Sequence, residues 1–329
     1  MKRFFSIWLS FICLLFFTFP VCAFSSNDTD LNSVELSAKR LSATISGKSE
    51  TELANEILLS IGMDSKWVEK MPDDKKIEIA NSYSIHCETS YSKINNEGVE
   101  IALTQSEYLE GLSAGNKNIA YDVQTKSSSN EIHYDGEDSY LIKNLYVYET
   151  QNAPTGTYGI IVTYEWKNYV TRWHGTDLIS VLGEYLSFER DSFTFAGEYI
   201  YNQNDEENYT VGSKTVSADC NNLEDENDLK VMGNGIIYQF DLENNNAYLK
   251  PPLYYTNAEF MMIVSARVGD WSSPKTFNIY SSYFHQKLGL GSIGVSVSIN
   301  SVSFSVSPKL CYVECQIATG SQINYIPKT

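Results

Sequence analysis

Gly111-Leu112-Ser113-Ala114-Gly115 has the G-x-S-x-G spacing of a hydrolase nucleophile elbow. That chemistry needs glycines around the serine because the serine sits on a strained strand-to-helix turn. His133, His174 and His285 follow it, so the chain order Ser, acid, His is available. The surroundings do not match: Gln105 to Glu110 do not form a buried parallel strand, and the chain lacks an α/β rhythm. Ser113 therefore stands as an alternative, and the expectation is that the protein is not an enzyme. Ser90-Tyr-Ser-Lys93 matches S-x-x-K without the partner motifs of that enzyme class. No two of the histidines His86, His133, His174 and His285 lie four residues apart, so no H-E-x-x-H zinc helix exists. Asp135-Gly136-Glu137-Asp138 and the stretch from Asp219 to Asp228 carry oxygen ligands of the kind calcium takes. Neither has the spacing of an EF-hand loop, so solvated acidic loops and no cofactor are expected.

Trp166, Tyr169 and Trp173 cluster near a strand end, where exposed rings would stack on a sugar. They are the candidate ligand-binding residues, with a buried aromatic core as the competing reading. Cys13 and Cys22 lie within residues 1–23, and Cys87, Cys220, Cys311 and Cys315 lie beyond them. These four are the possible disulfide cysteines, with three connectivities. On one extended strand Cys311 and Cys315 would stand ~13 Å apart, beyond disulfide reach, so each is expected to pair with Cys87 or Cys220. A single C-x3-C without a matching pair is a poor zinc site.

These residues must be positioned by sheets more than by helices. Ser49-Glu50-Thr51-Glu52 is a capping box, and Leu53, Ile57, Leu58 and Ile61 recur at helical spacing before Gly62. Asp64 caps a second short helix carrying Trp67, Val68 and Met71, and Asp73 opens a third with Ile77 and Ala80 facing inward. From about residue 83 the period becomes two. Thr163, Glu165 and Lys167 alternate with Val162, Tyr164 and Trp166, which predicts a half-buried strand. Similar runs span 140–148, 179–188, 193–201, 236–242, 260–268 and 276–284. The fold class is mainly β, an antiparallel sandwich with a small N-terminal helical unit, α+β overall. In the C-terminal region Val295, Val297 and Ile299, then Val302, Phe304 and Val306, alternate with serines around Asn300-Ser301. A sandwich hairpin is expected there. A membrane-crossing hairpin of a pore-forming or toxin-like protein, over 291–310, is the alternative.

Lys2 and Arg3, the apolar run from Phe4 to Phe19, and Val21-Cys22-Ala23 have the pattern of a secretory signal peptide over 1–23. A polar, disordered tail is expected over 24–48, a helical unit over 49–82, and a β-rich domain over 83–329 that divides into two sub-units or remains one. No later apolar run is long enough to span a bilayer, so no transmembrane anchor is expected after cleavage. The formal charge is −17, and −19 without Lys2 and Arg3, which argues against nucleic acid and anionic membranes as partners. Leu58 to Met63, Trp67 to Pro72, Ile79 to Ser82 and the serine-rich run from Val295 to Ser307 before Pro308 resemble segments of uncharacterised exported proteins of Gram-positive bacteria. The resemblance implies location and no activity. The expectation is a secreted, extracellular binding or interaction protein with an unknown cell-surface or extracellular partner.

Overall fold

The computed structural model describes residues 27–31, 33–94, 100–113, 139–151, 156–167, 176–205, 208–223, 225–241, 253–269, 272–287 and 311–325. The chain forms three layers: a set of short helices, a large antiparallel sheet and a smaller antiparallel sheet. The helices are α1 (Ser33–Ser46), α2 (Glu50–Ser60), α3 (Ser65–Lys70) and α4 (Asp73–Ala80). The large sheet runs in the order β1 (Asn27–Leu31), β2 (Ile85–Ile94), β4 (Ser139–Glu149), β5 (Thr157–Lys167), β11 (Leu253–Val268), β7 (Leu186–Asp205) and β8 (Asn208–Asp219), with β3 (Glu100–Leu103) paired to β2. The small sheet runs β13 (Cys311–Tyr325), β12 (Lys275–Lys287), β6 (Thr176–Gly183), β10 (Gly235–Asp241) and β9 (Leu229–Met232). The chain passes between sheets at the β5–β6, β6–β7, β8–β9, β10–β11 and β11–β12 connections. The sandwich expectation holds.

Two cores follow from this layering. Between the sheets, Val162, Tyr164, Trp166, Phe195 and Phe260 meet Val181, Phe240, Phe277 and Tyr283. Aromatic contacts stitch the sheets together, with Phe240 at 4.9 Å from Phe260 and Trp166 at 5.5 Å from Tyr283 between ring centroids. Each such ring contributes roughly 1.5–3 kcal/mol through burial. The other core lies between helices and sheet, where Leu53, Ile57, Trp67 and Val68 cover Tyr146, Tyr148, Ile161, Met261 and Ile263. The alternation in β5 therefore means something different from a water-facing strand. The helical layer covers its polar face, so Thr163 and Glu165 are buried along with Val162 and Tyr164.

The N-terminus departs from the sequence reading. Residues 24–48 are expected to be a disordered tail, yet β1 adds to the edge of β2 and α1 packs on the helical layer. Leu36 and Ala43, seven residues apart, turn inward, and the Arg40 guanidinium donates to the Ser82 carbonyl. Ser49 and Glu52 form the expected capping box, and the Asp64 side chain accepts from the Lys66 amide. The cap of α4 is Pro72, not Asp73, and Ile79 with Ala80 forms its buried face. The run over 179–188 is two strands, separated by a tight corner at Glu184-Tyr185, where Tyr185 takes the left-handed φ of 61°. Residues 1–23 and 291–310 lie outside the described residues. Among the described residues, no helix is long and apolar enough to cross a membrane.

Candidate functional site

One of the two register shifts between β11 and β7 shapes a cavity at the edge of the helical layer. β11 and β7 pair Ile263 with Thr194 and then Ser265 with Glu189. Between those pairs β11 spends only Val264, while β7 spends residues 190 to 193. Such bulges re-aim side chains and recur beside functional sites. Here the bulge is held firmly. The Ser192 hydroxyl accepts from the Ser265 amide at 2.7 Å and donates to the Glu189 carbonyl at 2.6 Å, replacing a lost ladder bond. Arg190 turns away to the Leu229 and Glu226 carbonyls, at 2.6 and 3.1 Å, and Phe193 is buried in the sandwich core.

The cavity that results has a volume of about 310 Å³ and is lined by Lys75, Glu78, Thr150, Gln151, Thr157, Glu189, Asp191, Ser192 and Ser265. α4, the end of β4, the start of β5, the β7 bulge and β11 all contribute. Its floor is polar and buried: Lys75, Thr150, Thr157 and Ser265 are each at least nine-tenths covered. Glu189 and Asp191 are exposed and stand at the rim. The Lys75 ammonium approaches Glu78 at 3.3 and 3.5 Å, and the Tyr148 phenol donates to Glu78 at 3.2 Å. Burial, then the adjacent Glu78 carboxylate, pushes the Tyr148 phenol well above its ordinary pKa, so it remains a protonated donor. The Thr150 hydroxyl donates to the Thr157 carbonyl at 3.2 Å, and the Gln151 amide donates to the Ser82 carbonyl at 3.3 Å.

A second polar cluster holds the helical layer onto the sheet. Glu165, Glu259 and Glu198 are direct cross-strand neighbours on β5, β11 and β7. Like charges in such a row repel. Lysines relieve this. Lys66 lies 2.9 Å from Glu165 and 2.8 Å from Glu259, Lys167 lies 2.7 Å from Glu259, and Lys70 pairs with Glu198. The Trp67 indole donates to Glu165 at 3.3 Å. Burial opposes ionisation of Glu259, but hydrogen bonds from Lys167 and Lys66 outweigh it and hold the carboxyl below its ordinary range. Burial likewise works against the Lys66 ammonium, and Glu165 and Glu259 overcome it to raise its pKa. These groups are consumed by one another, and the cluster is structural.

The residues singled out from sequence do not converge on either place. Trp166 is 1 % exposed and packs on Tyr283 inside the sandwich, so its rings are unavailable to a sugar. Tyr169 and Trp173 lie outside the described residues. Ser113 lies on a helix that includes residues 105–113 and donates to the Leu109 carbonyl at 2.8 Å, as a solvent-facing helical serine does. That is not a strand-to-helix elbow. The helix begins with a capping box, Thr104 with Glu107, a signal present in the sequence but overshadowed by the glycine pattern. Ser90 and Lys93 lie three residues apart on β2, on opposite faces, and cannot act together.

Cys87 is buried in the helix-facing core and Cys220 donates to the Asp191 carbonyl at 3.4 Å. The two are not bonded to each other, and the side chains of Cys311 and Cys315 lie outside the described residues. Cys87 sits on the helix-facing side of the large sheet, while Cys220 follows β8 at the sheet edge farthest from β1. Cys311 and Cys315 lie on β13, where their backbones pair with Lys287 and Tyr283. The Asp135–Asp138 loop lies outside the described residues. In the Asp219–Asp228 stretch, Asp219 accepts from the Asn221 amide and Asp228 from the Asp225 amide, so these carboxylates serve turns. Among the described residues, no three His, Cys, Asp or Glu side chains are placed to hold a metal.

No protein-family model and no curated protein matches the chain. Among solved structures it is similar to Clostridium perfringens delta-toxin at 6 % identity, covering 73 % of this chain and 88 % of that one, with a TM-score of 0.20. The collagen-binding domain of the Erysipelothrix rhusiopathiae surface protein RspB matches at 13 % identity, over 45 % of this chain and 56 % of its own, with a TM-score of 0.19. The membrane-inserted form of the C. perfringens NetB toxin matches at 7 % identity, over 58 % and 90 %, with a TM-score of 0.16. At these values none of them assigns an activity.

Proposed function

We propose that this is an exported, extracellular binding protein that takes a small polar ligand in the cavity beside the β7 bulge. The supporting observation is the cavity itself: a sheet distorted and pinned by Ser192, with buried polar walls drawn from five elements. Burying polar groups costs free energy unless they are hydrogen-bonded. The lining groups meet that condition through one another, as Lys75 with Glu78 and Thr150 with Thr157 do, and keep further donor and acceptor positions for a ligand.

The test is a thermal-shift screen of the purified protein against a library of small polar metabolites. A ligand at 100 times its Kd stabilises by about 2.7 kcal/mol. Gln151→Trp should block the opening and abolish the shift while leaving the unliganded Tm near that of the wild type. A screen without any stabilising compound, or a shift that survives Gln151→Trp, sinks the reading.

A further inference from the structure

We propose that the ligand of this cavity is a small hydroxylated cation, an amino sugar in chemical class. This rests on the binding reading above and adds the ligand's chemistry to it. The nine lining residues include no aromatic and no large aliphatic side chain, and every one of them carries a polar group that a hydroxylated ligand can meet. The buried Lys75 and the partly exposed Glu78 stand 3.3 to 3.5 Å apart. That is longer than the usual 2.7–3.2 Å of an N–H···O bond, so neither group is saturated by the other. An ammonium has three donors and a carboxylate has about four acceptor sites. A ligand hydroxyl satisfies both at once, accepting from Lys75 and donating to Glu78. A ligand carboxylate there would be repelled by Glu78, and a ligand ammonium by Lys75.

The rim has the opposite character. Glu189 and Asp191 are brought to one lip by the bulge, and neither is ion-paired among the described residues. Arg190, between them in sequence, is turned away to the Leu229 and Glu226 carbonyls. The lining holds three carboxylates, Glu78, Glu189 and Asp191, against one ammonium, Lys75, a balance of −2. The Lys75–Glu78 pair cancels, so both surplus charges lie at the lip. A ligand with hydroxyls directed inward and an ammonium directed outward matches both zones. The volume of about 310 Å³ lies at the small end of ligand pockets, which run from about 300 to 1,000 Å³.

Isothermal titration with D-glucosamine, D-glucose and D-glucuronate tests this, because the three are matched in size and differ in charge. Glucosamine should bind roughly tenfold tighter than glucose, with glucuronate weakest, and added salt should narrow the gap because the lip is exposed. The double variant Glu189→Gln/Asp191→Asn should bring glucosamine down to the level of glucose measured on the same variant. Both side chains are exposed, so the variant should fold, which its Tm would verify. Glucuronate binding as well as glucosamine, or a glucosamine preference that survives the double variant, overturns the cationic class. In that case the binding reading stands if Gln151→Trp abolishes whichever probe binds. If none of the three sugars binds at millimolar concentration, the amino-sugar class is overturned, and the metabolite screen separately decides the binding reading.

Discussion

Replacing Lys66 by methionine removes the charge that bridges two strands while keeping most of the side chain's packing. The Lys66 ammonium lies 2.9 Å from Glu165 and 2.8 Å from Glu259, and the two carboxylates face each other across β5 and β11. Removing one partner of a fully buried pair costs roughly 3–5 kcal/mol. Lys66 is about a quarter exposed and Lys167 still serves Glu259, so solvent screening and the remaining pair reduce this to about 2 kcal/mol. For a chain of this size that is about 4 °C in Tm. The pH dependence follows from the shifted groups. Glu259 ionises below its ordinary range, so its contribution is present above that range and lost as pH falls through the folded value. The raised Lys66 contributes throughout neutral pH and loses its contribution only in strong alkali. The stability gap between wild type and Lys66→Met should therefore be full at pH 7 and smaller at about pH 3, as the pH falls from the ordinary carboxylate range toward the lowered Glu259 value. Urea unfolding followed by far-UV circular dichroism at both pH values measures it. A gap below roughly 0.5 kcal/mol at pH 7, the value of an ordinary surface pair, would refute the reasoning. So would a gap of the same size at pH 3.

Gly159→Ala should be costly, because the new Cβ would lie 2.0 Å from the buried Tyr148 ring; a loss of about 3 kcal/mol by urea unfolding is expected, and a neutral variant would contradict the close packing. Ser49→Ala removes the cap of α2 and should cost about 1 kcal/mol, read in the same assay against Ser46→Ala as a control. Thiol labelling of the native protein, located by peptide mass mapping, should modify Cys220 and spare Cys87 until urea is added; early labelling of Cys87 would contradict its burial.

What could be read from sequence was local. The capping box at Ser49, the helical spacing of Leu53 and Ile57, and the strand periods of β4 and β10 depend on neighbours a few residues away, and the structure repeats them. What could not be read depends on layers. The polar face of β5 has the alternation of a water-facing strand, and nothing within ten residues shows that Lys66 and Trp67 will cover it. Trp166 lies near other aromatics in sequence, yet its environment is set by Tyr283, more than a hundred residues later. The cavity is the extreme case. Lys75, Thr150, Glu189 and Ser265 share no motif, and only a slip of register between β7 and β11 brings them together. The G-x-S-x-G pattern shows the converse: the spacing is right, but the helix at 105–113 gives Ser113 an ordinary role.

The repeated passage of the chain from one sheet to the other also governs how the molecule reaches this state. β6 belongs to the small sheet while β5 and β7 belong to the large one, and β11 pairs with β5 and β7 only after the chain has visited β9 and β10. Neither sheet can assemble from a continuous stretch of polypeptide. The central β5–β11 and β11–β7 ladders close long loops before any reward is gained, which raises the entropic barrier. Folding should therefore be slow and concerted for the sandwich, with the N-terminal helices forming early and finding their sheet late. The same interleaving protects the finished protein, since one sheet cannot peel away without undoing strands of the other.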